Sequence, residues 1–148
     1  MQEVTILDLK ETKGRILGVD FGDTRTGLAV SDTSRFLASG IGYVSPGGIV
    51  KTADKVAEVA REQKVSAIVV GLPKNMDGSE GPRAEKARAF KALLEETSGL
   101  PVELRDERRS SIEAHQILHA VGKKEKSHRK TVDAVAASLI LEAYLGSI

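Results

Sequence analysis

Asp20, Asp106, Glu107 and Asp133 are the residues on which chemistry would turn. Asp20 closes the apolar run "ILGV", and the pair Asp106–Glu107 closes "PVELR". Asp133 opens "TVDAVAASLILEAYL", where the residues around it are apolar on nearly every side. A lone carboxylate in such surroundings is costly to bury. Each has an ordinary explanation: Asp20 could start a turn, and Asp133 could complement the positive end of a helix dipole behind a Thr131 cap. Carboxylates brought together raise one another's pKa unless a cation neutralises them. With no cysteine and no clustered histidine, the hard oxygen set points to Mg²⁺ or Mn²⁺.

Convergence requires elements that carry these residues to one place. Residues 15–20 and 26–32 are short apolar runs separated by a turn containing Gly22 and Asp23, which predicts an antiparallel hairpin. A third strand is expected over 36–44, ending at Pro46, Gly47 and Gly48. Val50, Ala53, Val56, Ala57 and Ala60 repeat at helical spacing over 49–63. The continuous apolar run "VSAIVVGLP" (65–73) suits a strand covered on both faces. A helix over 82–97 has Pro82 in its first turn, and a strand over 101–106 follows. Next come a helix over about 110–121, a basic loop over 122–130 and the final helix over 131–145. The expected fold is α/β, a mixed five-stranded sheet in the order 3-2-1-4-5 with strand 2 antiparallel and helices on both faces. In such a sheet ligands gather at the carboxyl ends of parallel strands, where Asp20 and the Asp106–Glu107 pair stand. Adjacent strand residues point oppositely, so only one of that pair would face the site; Glu107 is favoured.

The length of 148 residues suits a single domain over 15–148, with residues 1–14 as a variable leader. Hydrophobic residues at 41% and charged residues at 29% are globular values. No apolar run approaches a membrane span and no signal peptide is legible, so a cytoplasmic protein without membrane contact is expected. A net charge of +1 does not by itself announce a nucleic-acid binder. Oligomeric state has no legible signature, and a homodimer stays open.

The segments "ILGVDFGDTRTGLAVSD", "VVGLPKNMDGSEGPRAEKARAF", "DERRSS" and "TVDAVAASLILEAYL" resemble the YqgF family. Its members are described as Holliday junction resolvase-like proteins and as proposed nucleases of pre-16S ribosomal RNA. The likeness runs from about Arg15 to Leu145 and rests on four motifs in order. It implies a ribonuclease H-like fold and a metal-binding catalytic set at Asp20, Asp106 or Glu107, and Asp133. Two departures stand out: Arg109, Ser110 and Ser111 replace the usual apolar residue and threonines after "DER", and the leader has no counterpart. Phosphodiester hydrolysis puts charge on the attacking and leaving oxygens, and two cations about 3.5–4 Å apart can stabilise both.

Cations that could grip phosphates are Arg25 in the hairpin turn, Arg83 at a helix start, Arg108 beside the acidic pair, and Lys123, Lys124, Lys126, Arg129 and Lys130 before Asp133. Asn75 and Gly78 belong to a loop before a helix N-terminus, a natural phosphate site. Their ordinary readings are solvated turns and connectors. His115 and His119 are spaced i, i+4 but lack a zinc motif and read as surface residues. Aromatics at 3% argue against base stacking. The expected activity is metal-dependent hydrolysis of phosphodiesters in 5′-end maturation of pre-16S ribosomal RNA, with RNA favoured over DNA. The alternatives are a resolvase of branched DNA, a non-catalytic RNA-binding factor, and a nucleotide-binding module of the sugar-kinase type, for which 148 residues leave no second domain.

Overall fold

The computed structural model describes residues 13–22, 25–45, 47–106 and 125–146, with 125–133 as backbone. Among these residues the order is β1 (Ile16–Asp20), β2 (Thr26–Ser31), β3 (Ala38–Val44), α1 (Ile49–Glu62), β4 (Ala67–Leu72), α2 (Pro82–Ser98), β5 (Val102–Asp106) and α3 (Glu125–Leu145). The sheet runs β3-β2-β1-β4-β5, the expected order. β2 is antiparallel to both β1 and β3, and β1, β4 and β5 are parallel neighbours. The expected helix over 110–121 lies outside the described residues, as does the leader apart from Lys13 and Gly14. Gly14 is held, since its carbonyl accepts from Arg35 Nε at 2.7 Å.

Strand alternation divides the buried side chains between two cores. Leu17, Val19, Leu28, Ile68 and Val70 pack against Val56, Ala57 and Ala60 of α1 and Phe90 and Leu94 of α2. Ile16, Ala29, Ala67 and Val69 pack against Ala137, Ile140, Leu141 and Tyr144 of α3. β1 and β4 are thus covered on both faces, which explains their unbroken apolar runs. α2 ends as its sequence demands: Gly99 takes a left-handed φ of 70° and its N–H donates to the Glu95 carbonyl at 2.9 Å.

α3 sits unusually close to the sheet. Gly18, Ala29 and Gly40 lie abreast on three neighbouring strands. A Cβ added to Gly18 would come 2.9 Å from Leu141 Cβ and 3.0 Å from the Ala137 carbonyl. One added to Gly40 would meet Ala134 Cβ at 2.9 Å. This row of small residues lets helix backbone rest on strand backbone.

One sequence expectation is corrected. The final helix spans Glu125–Leu145 among the described residues, so Lys126, Arg129 and Lys130 are helical rather than part of a loop, and Thr131 is no N-cap. Glutamate, lysine and arginine are good helix formers. Their stretch shows no apolar stripe, and without one it resembles a connector.

Candidate active site

Asp20 is the last residue of a strand whose preceding side chains Ile16, Leu17 and Val19 are fully buried. Its own residue is half-buried. Alternation puts it on the same face as Ile16 and Gly18, the face covered by α3. Phe21 turns to the opposite face and stacks on the buried Phe90 ring of α2, with centroids 4.3 Å apart and an interplanar angle of 14°. Asp20 is therefore pinned from both sides, by Val19 before it and Phe21 after it. Gly22 closes the turn tightly, because a Cβ there would collide with the Arg25 carbonyl.

α3 approaches the same strand end. Ala137, which touches Gly18, follows Asp133 by one helical turn. Gly18 precedes Asp20 by two strand residues. A single contact thus ties together the segments that carry both carboxylates. Asp133 stands about two turns inside α3, so the helix dipole that would account for an acidic first turn does not account for it.

Of the acidic pair, Asp106 is the last residue of β5 and is placed by register. Asp106 lies abreast of Leu72, whose side chain packs with Ala84 and Ala87 of α2. Asp106 is exposed and alternates with Leu104 onto that α2 face, away from Asp20. Arg105 occupies the other face. It lies abreast of Gly71, and Gly71 follows Val70, the partner of Val19. Asp20, Gly71 and Arg105 consequently form one row across three parallel strands, all on the α3 face. Arg105 is absent from the cations picked out in the sequence; its two-residue offset from Glu103 becomes a signal only once the register is known. Glu107, one residue beyond Asp106, and Arg108 lie outside the described residues, as do Lys123 and Lys124.

Among the other cations, Arg25 shares the α3 face by alternation with Gly27 and Ala29, and its guanidinium carbon lies 5.7 Å from the Tyr43 ring centroid. Lys126, Arg129 and Lys130 lie at spacings that recur on one side of α3. Arg83 is exposed in the first turn of α2. Asn75 shapes its own loop, since its amide donates to Ser79 Oγ at 2.9 Å and its backbone N–H to the Ser79 carbonyl at 2.8 Å. Ser79 Oγ in turn donates to Asp77 at 2.6 Å, and Gly78 takes a φ of 90° within that turn. Beside it, Arg88 donates to Glu80 at 2.7 and 2.8 Å and holds that carboxyl below its ordinary value.

Among the described residues no three acidic or histidine side chains gather into a metal site. Of the four expected carboxylates, only Asp20 and Asp106 have described side chains, and these lie on opposite faces. Asp20 fits a hard cation by chemistry, as a fixed oxygen donor with no thiol in the chain.

A family model named RuvX and described as Holliday junction resolvase matches residues 14–147. A protein of Pelotomaculum thermopropionicum is 42% identical over 134 residues, 90% of this chain and 87% of the relative. One of Anaeromyxobacter dehalogenans is 48% identical over 131 residues, 88% and 96% of the two chains. Both carry the provisional name pre-16S rRNA nuclease. Among solved structures, Thermus thermophilus RuvC has a TM-score of 0.53 at 16% identity, covering 89% of this chain and 96% of its own. The fowlpox virus Holliday junction resolvase has a TM-score of 0.54 at 16% identity, covering 90% and 99%. At such identity the likeness concerns the fold, a ribonuclease H-like sheet with helices on both faces.

Proposed function

Because the chain belongs to the RuvX family, the YqgF family that its motifs resemble, we propose that it is a metal-dependent nuclease of structured RNA. The observation that carries this reading is Asp20, fixed at the carboxyl edge of the sheet on the face where α3 and Asp133 approach. The relatives' name supports pre-16S ribosomal RNA as the substrate; we place the cut at its 5′ end and the protein in the cytoplasm. Among the described residues no helix is long and apolar enough to cross a membrane.

Asp20, Glu107 and Asp133 are the residues that would hold one or two Mg²⁺ or Mn²⁺ ions. When bound, such ions lower the pKa of water and stabilise the leaving oxygen. The rest falls to the chain. Buried β1 and the Phe21–Phe90 stack keep the Asp20 carboxylate from drifting, as a site of narrow tolerance requires. Arg25, set against Tyr43, offers its guanidinium to a phosphate oxygen on the same face. The cationic start of α3 adds backbone attraction that is blind to sequence.

The deciding experiment incubates purified protein with 5′-extended 16S precursor RNA and with a four-way DNA junction, each in Mg²⁺, Mn²⁺ or EDTA. Metal-dependent cleavage of the RNA alone is expected. Cleavage of the junction alone would make the protein a DNA resolvase, and tight RNA binding without cleavage would make it a non-catalytic factor. A homodimer, if formed, has an available edge at β3, where Phe36, Leu37 and Ile41 are exposed at and beside the strand; sedimentation of the same sample reads the mass directly.

A further inference from the structure

We infer that Arg105 is a phosphate-binding residue, gripping the nucleic-acid backbone one step away from the phosphate that would meet the cation held by Asp20. The inference deepens the nuclease reading and rests on it for the position of the cleaved bond. Its basis is the row Asp20–Gly71–Arg105 across β1, β4 and β5. Parallel strands lie about 4.8 Å apart, so the Cα atoms of Asp20 and Arg105 are separated by about 10 Å. The residue between them has no side chain, so nothing projects from β4 to divide the carboxylate from the guanidinium. Arg25 stands on the β2 side of Asp20 and on the same face, two residues before Gly27, the β2 partner of Asp20, with its guanidinium near Tyr43 of β3. Cationic residues thus flank the carboxylate on the β2 and the β5 side. A chain of phosphates running obliquely across the strands passes Arg25, the metal-binding carboxylate and Arg105 in turn.

Residue type and location support the same role. Arginine stays charged at every relevant pH and presents a planar fork that matches phosphate oxygens two at a time. Arg105 is half-buried at the end of an edge strand, whereas Glu103, two residues earlier on the same face, is exposed. A strand end holds a guanidinium in place better than a loop does. The competing role is that of a counter-ion, which would offset the acidic set without touching substrate. The two differ in what they predict for salt dependence.

The test measures binding of a fluorescein-labelled single-stranded RNA from the 16S precursor leader, by anisotropy, over a salt series in Ca²⁺. Full-length wild type is compared with Arg105→Gln and Arg105→Lys, and thermal melting confirms that each variant is folded. Arg105→Gln should bind about tenfold more weakly, and its slope of log K against log salt should shrink by about 0.7, the value of one contact on a single strand. Arg105→Lys should keep most of the slope while losing affinity, because charge remains and the fork does not. Cleavage of the same RNA in Mg²⁺ is recorded in parallel. If wild type binds without cleaving, the nuclease reading fails while the slopes still decide the role of Arg105. An unchanged slope in Arg105→Gln, or a wild type that does not bind RNA, overturns the inference.

Discussion

At the level of single residues, the site is organised by side-chain parity. Asp106 and Glu107 are neighbours in sequence, and only one of them can share a face with Asp20. The sequence alone could not say which, because parity depends on how β5 registers with β4 and on which face α2 covers. The register places Asp106, which falls beside Leu72 on the α2 face, away from Asp20, and this favours Glu107 for the metal. Glu107→Gln should therefore reduce cleavage at least a hundredfold, as loss of a metal-holding group does, while Asp106→Asn should stay within about threefold of wild type. Single-turnover rates with saturating Mg²⁺ check both. Arg105 was illegible for the same reason, since an arginine in a polar-flanked strand looks solvated until its row is known. Asp20 was the opposite case. A carboxylate ending a buried apolar run is conspicuous in the sequence, and the structure adds the Phe21–Phe90 stack that fixes it.

Among the elements, α3 is the part that brings the distant halves of the chain together. Its C-terminal portion was legible from the apolar run after Asp133. Its first portion was not, because Glu125 to Lys130 has helix-forming residues but no apolar stripe to mark the period. The closeness of α3 to the sheet also escaped sequence reading, since Gly18 and Gly40 are 22 residues apart and only the strand register sets them in one row. This closeness can be tested without touching a proposed functional residue. In Gly18→Ala the new methyl would meet Leu141 Cβ and the Ala137 carbonyl, and backbone cannot retreat as a flexible side chain can. The expected loss is about 1–3 kcal/mol, the usual cost of overpacking, read by thermal or urea unfolding. Because Asp133 is carried one turn from this contact, metal affinity should fall along with stability. A melting temperature equal to wild type would mean that α3 is not tightly seated.

For the molecule as a whole, the strand order was legible because topology leaves few choices. Three short strands in succession form a meander, and later strands return beside the first through helical crossovers. That order sets β1 between β2 and β4, buried on both faces, with its carboxyl end beside that of its parallel neighbour β4. The near-neutral net charge said little, because the relevant cations are distributed by face rather than by number. The nuclease assignment requires that this strand end hold a divalent cation through Asp20 and use it to cut RNA. The most direct measurement is Mg²⁺ titration of wild type and Asp20→Asn, following thermal melting and cleavage of 16S precursor RNA in the same samples. Wild type should gain melting temperature and activity together as Mg²⁺ rises. Asp20→Asn should fold at least as well without metal, since a negative charge has been removed, yet show little metal-induced stabilisation and almost no cleavage. Normal cleavage by Asp20→Asn, with the metal response of wild type, would show that Asp20 is not the residue that holds the cation.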